Sequence, residues 1–113
     1  MKENVFIIIV VVVIAIFGYR LAENKRIDEI RSAIATKYSR SVSDVFIRID
    51  KKNSNYTVGG VSFAPKGVAG GAFMAAKING KWKLVYDGNG SIDCTKIKRT
   101  YDFPADMLIG FCD

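Results

Sequence analysis

The sequence predicts an α+β domain carried on an apolar N-terminal helix, and three observations lead there. Residues 5–17 (VFIIIVVVVIAIF) form an unbroken apolar run. Beyond it the spacing of apolar residues changes at Val42 from three-and-four to two, the change expected where a helix gives way to strands. An Asn79-Gly80 pair then separates two alternating segments, a strong local signal for a hairpin. The expected architecture is a membrane helix running into an amphipathic helix packed on a four-stranded antiparallel meander, closed by a C-terminal disulfide loop.

With 113 residues the chain supports one domain. We divide it into an anchor, residues 1–22, and a folded α+β part, residues 23–113. The apolar stretch with Gly18 and Tyr19 spans about 22 Å as a helix, less than a hydrocarbon core of about 30 Å. Neither exit from the run, Ile16-Phe17-Gly18 nor Arg20-Leu21-Ala22, has the small-x-small pattern of a cleavage site. No cysteine precedes Cys94, which excludes a lipobox. An uncleaved anchor is therefore expected, with residues 5–19 in the bilayer, Tyr19 at its interface, and Lys2 and Arg20 reaching out from its two ends. Counting flanking cations favours a cytoplasmic domain, but only four residues precede the run. The two cysteines, Cys94 and Cys112, have no metal-site spacing and pair best as a disulfide, which persists in oxidising compartments. They place the domain outside the cytoplasm, on the cell membrane or on an extracellular filament.

Ile27, Ile30, Ile34 and Tyr38 recur at helical spacing, with Arg26, Glu29, Arg31 and Lys37 assigned to the solvent face. No Pro or Gly lies between Tyr19 and Tyr38, so apolar and amphipathic parts are expected to form one rod of about 35 residues, ended by Ser39-Arg40-Ser41. Val45, Ile47 and Ile49 alternate with Phe46, Arg48 and Asp50 in a first strand. Residues 51–55 make a turn, and 56–64 a second strand with a bulge at Gly59-Gly60. Residues 65–71 read as a loop. The hairpin is 73–78 against 81–86, with Phe73, Ala75, Trp82, Leu84 and Tyr86 expected on the helix side. Residues 92–113 show no sustained periodicity.

Candidate chemistry is sparse. The chain has no histidine, which removes imidazole bases and histidine-ligated metals. Its carboxylates do not pair for acid–base work and its serines lack a nucleophile elbow, so neither an enzyme nor a cofactor is expected. The net charge of +6 is scattered, with no cationic run longer than two, and nucleic acid is not an expected partner. Asp87, Asn89, Ser91 and Asp93 carry oxygen at alternate positions, like the first half of a calcium loop, although Lys98 stands where the bidentate glutamate belongs. Met74, Ile78 and Val85, rimmed by Lys81 and Lys83, are a candidate docking surface for a protein partner or an acidic polymer. The competing and preferred reading has the C-terminal segment folded over that face.

Residues 75–90 (AAKINGKWKLVYDGNG), followed by Cys94, Phe103-Pro104, Met107 and Cys112, resemble a family of small uncharacterised bacterial proteins. That resemblance implies one N-terminal membrane segment and an extracytoplasmic α+β domain. The general plan, together with Pro104-Ala105 ahead of the last cysteine, also resembles type IV pilins and pseudopilins. It implies a pilin-like layout (a cystatin-like one shares the helix-on-sheet arrangement) and self-assembly through the apolar helix. Pilin processing requires a short basic leader ending in Gly or Ala, and no small residue occurs here before Ala15. The glutamate of the fifth mature position is replaced by Val5 if Met1 is the mature start, with Glu3 two places early.

Overall fold

The computed structural model describes residues 2–65, 68–88 and 90–112. Helix α1 (Lys2–Lys37) is one uninterrupted α-helix of 36 residues, about 54 Å long. Its two parts meet different surroundings: residues 2–22 are exposed throughout, while Arg26, Ile30, Ile34 and Ala35 are buried. The buried stripe is turned relative to expectation. Ile27 is only half-buried, Tyr38 is exposed, and Arg26, assigned above to the solvent face, is 7% exposed. Arg26 lies one turn before Ile30 and two before Ile34, so it continues their row. At the C-terminal end Ser39 takes a φ of 53°, and the Arg40 N–H bonds the Ala35 carbonyl at 2.9 Å, closing the helix.

After a short 3-10 turn, strands β1 (Val45–Lys52), β2 (Tyr56–Phe63), β3 (Val68–Ile78) and β4 (Lys81–Gly88) form an antiparallel sheet in the order β1-β2-β3-β4. Asn79 and Gly80 adopt φ values of 53° and 78°, the left-handed pair that a tight two-residue hairpin needs. β3 begins well before the predicted Phe73, so most of the expected loop at 65–71 is strand.

Three register shifts decide which side chains meet α1. Ile49 pairs with Gly59 and Lys51 with Val58, leaving Asp50 extra. Ala75 pairs with Leu84 and Met74 with Tyr86, leaving Val85 extra. A third shift falls between Val61 and Ser62 in the β2–β3 ladder. One extra residue reverses the side that every following side chain takes. Lys52 and Asp87 consequently turn towards α1, and Lys51 and Tyr86 turn away from it. Tyr86 was expected on the helix side; the bulge at Val85 is the reason it is not. The bulge assigned to Gly59-Gly60 instead falls on the facing strand, and both glycines are paired, with Ile49 and Arg48.

Two cores flank the sheet. Ile30, Ile34 and Ala35 of α1 pack on Val45, Val61, Phe63, Phe73, Ala75 and Trp82. On the opposite side Val58, Met74 and Ala76 are covered by Ile97, Phe103, Met107 and Leu108. Ile97 belongs to a helix that residue spacing did not reveal, α2 (Cys94–Tyr101). Its N-terminus is capped by Asp93, whose Oδ1 accepts from the Lys96 N–H at 3.0 Å. The Cys94–Cys112 disulfide ties the start of α2 to the end of the described chain.

Two outcomes test this packing. A Cβ at Gly59 would lie 1.9 Å from the Arg48 carbonyl oxygen and 3.0 Å from the Phe73 ring. Gly59→Ala is therefore expected to lower unfolding stability by about 3 kcal/mol, while Gly90→Ala, with open space around it, leaves it unchanged. Replacing both cysteines with serine opens a loop of 18-residue separation. Urea unfolding should then show a loss of about 3 kcal/mol.

Candidate functional site

Where α1 leaves the sheet, the fold leaves a cleft of about 350 Å³. Tyr19, Ala22, Glu23 and Arg26 of α1 form one wall; Lys52, the β1–β2 turn, Lys77 and Trp82 form the other. Each strand end delivers its residue for a local reason. The Asp50 bulge turns Lys52 inward, and the Asn79-Gly80 turn sets Lys77 opposite Trp82.

Polar contacts organise the cleft. The Arg26 guanidinium lies 4.7 Å over the Trp82 ring, a desolvated cation–π contact that contributes about 2 kcal/mol in favourable cases. Its Nη1 donates to Thr57 Oγ1 at 3.3 Å, and Nη2 pairs with Glu23 Oε1 at 3.4 Å. Arg26 Nε is buried with no hydrogen-bond partner among the described residues. Lys52 Nζ donates to Glu23 Oε2 at 2.7 Å and to the Tyr19 hydroxyl at 3.1 Å. Those two hydrogen bonds, Glu23 first, hold the Lys52 ammonium above its ordinary pKa. Lys77 lines the same cleft, and its ammonium has no partner among the described residues. Three cations thus face one carboxylate.

At the far end of the packed half a second clamp holds α1. Lys37 Nζ donates to Asp87 Oδ1 at 2.6 Å, and the Tyr38 hydroxyl donates to Asp87 Oδ2. The Asp87 side chain is only 5% exposed. Its hydrogen bonds raise the pKa of both donors, Lys37 and Tyr38.

The residues singled out from sequence are not gathered into one site. Asp87 points to α1 and Asp93 caps α2, so the suggested calcium ligands have protein partners instead. Ser91 is exposed, and Asn89 lies outside the described residues. Among the described residues there is no group of three or more His, Cys, Asp or Glu side chains able to hold a metal. The docking surface is likewise corrected. Met74 is fully buried, and Ile78 and Val85 pack against the cluster built by the C-terminal segment, with Lys81 and Lys83 exposed at its edge. Cys94 and Cys112 form the expected disulfide. Sequence reasoning missed Arg26, and its spacing of four from Ile30 was the available signal.

In comparisons with known proteins, no family model matches the chain, and no curated protein or solved structure matches it either.

The Asp87 clamp has a pH signature. Both raised pKa values favour the protonated donor in the fold. The stability they contribute is complete below the ordinary values of about 10 for tyrosine and lysine and is lost as pH rises through the higher folded values. Thermal unfolding should therefore show stability falling above about pH 10. Asp87→Asn should lower neutral-pH stability by about 2 kcal/mol and flatten that alkaline fall.

Proposed function

We propose that this chain is a single-pass, membrane-anchored domain with a binding or structural role rather than a catalytic one, held outside the cytoplasm. One observation carries the reading. Helix α1 is long and apolar enough to cross a membrane, and the domain covers none of its apolar half. Val5, Ile9, Phe17 and Leu21 each keep more than half of their surface open. Leaving that many large aliphatic side chains in water costs roughly 1.5–3 kcal/mol apiece, and a bilayer removes the cost. The disulfide supports an oxidising location. Two of the acidic groups singled out above have structural partners, which supports this reading: Asp87 holds α1 and Asp93 caps α2.

A second reading, a pilin-like filament subunit, is favoured by the unbroken passage of α1 from its apolar to its packed half. Such a rod can bury its apolar half against copies of itself as well as against lipid.

Sedimentation of the native product separates these readings. An anchored monomer pellets with membranes, leaves them only in detergent and then migrates near 12.5 kDa plus its micelle. A filament subunit sediments as a polymer visible by negative stain. Freely soluble full-length chain contradicts both. An intact mass two protons lower without reductant than with it is the result expected for the oxidised domain.

A further inference from the structure

We propose that the cleft between α1 and the β1–β2 and β3–β4 turns binds the phosphodiester headgroup of an anionic membrane lipid. The inference rests on the anchored reading, and four observations carry it. The cleft sits where the apolar helix ends: Tyr19 and Ala22 are in its wall, two and five residues beyond Phe17. A headgroup at the surface of the bilayer that α1 crosses is therefore the anion nearest to it.

The charge inside is unbalanced in the right sense. Glu23 is shared between Arg26 and Lys52, so one carboxylate answers two cations, and Lys77 remains unanswered among the described residues. Arg26 is nine-tenths buried, and its Nε lacks a partner among the described residues. A buried guanidinium so sparsely bonded is stabilised by a second anion. Arg20 and Lys81 lie at the same end and add to the positive field, while Lys25 bonds the Gly80 carbonyl at 2.8 Å and pairs with Glu29 at 3.8 Å.

The walls also suit an interface. Tyr19 presents an exposed ring beside polar groups, the combination that settles at headgroup depth, while Trp82 forms the buried floor beneath Arg26. Finally, the uncharged run from Asn4 to Tyr19 is about 24 Å long, shorter than a hydrocarbon core of about 30 Å. That mismatch draws this end of the domain into the headgroup layer.

The test uses the full chain in detergent micelles, supplied with phosphatidylglycerol or phosphatidylcholine. Native mass spectrometry counts retained lipid, and emission from Trp82, the chain's only tryptophan, follows the titration. One phosphatidylglycerol per chain is expected, held in preference to phosphatidylcholine. Lys77→Gln, which removes no protein contact, should weaken that retention about fivefold, and Lys52→Gln with Lys77→Gln should weaken it more. Lys83→Gln with Lys96→Gln, an equal charge loss away from the cleft, should leave it unchanged. Equal retention of the two lipids, or a distant pair as damaging as the cleft pair, overturns the proposal. Displacement of the lipid by millimolar inorganic phosphate assigns the site to a soluble anion and overturns the lipid reading. Chain that remains detergent-dependent without selecting phosphatidylglycerol defeats this inference alone, whereas chain soluble without detergent defeats the anchored reading.

Discussion

Nearly everything the sheet does to α1 has to be done along residues 19–37, because residues 5–17 are apolar on every side and exposed. Within that span only Arg26, Ile30, Ile34 and Ala35 are buried. So narrow a stripe fixes the distance between helix and sheet but does little to stop the helix sliding or turning. The two polar clamps supply what the apolar stripe lacks. Lys52 reaches Glu23 and Tyr19 at one end, and Asp87 reaches Lys37 and Tyr38 at the other. Hydrophobic burial is non-directional, whereas hydrogen bonds at both ends of a rod define its register.

Both clamps depend on bulges. Without the extra Asp50, Lys52 would face away from the helix, and without the extra Val85, so would Asp87. The same two slips send Lys51 and Tyr86 to the opposite core. There Lys51 Nζ donates to the Asp106 carbonyl at 2.6 Å, and the Tyr86 hydroxyl donates to the Gly90 carbonyl at 2.7 Å. One irregularity thus serves two layers: it fastens the helix on one side and the C-terminal segment on the other.

Much of this architecture was legible in the sequence. The period change at Val42, the Asn79-Gly80 turn and the paired cysteines are local signals, and each maps onto a strand, a hairpin and a disulfide where expected. What stayed hidden depends on tertiary context. Bulges at Asp50 and Val85 leave no glycine or proline as a marker: Val85 is an ordinary strand former, and Asp50 falls in the alternation as an outward-facing polar residue would. Helix α2 has eight residues, barely two turns, too few for a periodicity to stand out. Its cap, Asp93, looked like a metal ligand because the same short oxygen-bearing side chain serves both purposes. Arg26 was misplaced because charge was weighed above position; Trp82 and Thr57, far along the chain, make its burial tolerable.

The absence of any break in α1 between Tyr19 and Lys37 has a mechanical consequence. A joint there would let the sheet hang independently of the apolar half, but a stiff shaft obliges the two to pivot together. Pivoting by about 20°, a usual inclination for such helices, sweeps the Asp87 end of a 22 Å lever sideways by roughly 7 Å. Under the anchored reading proposed above, bilayer thickness sets the posture of the sheet, and a thicker or thinner membrane changes which edge of it is presented to its surroundings.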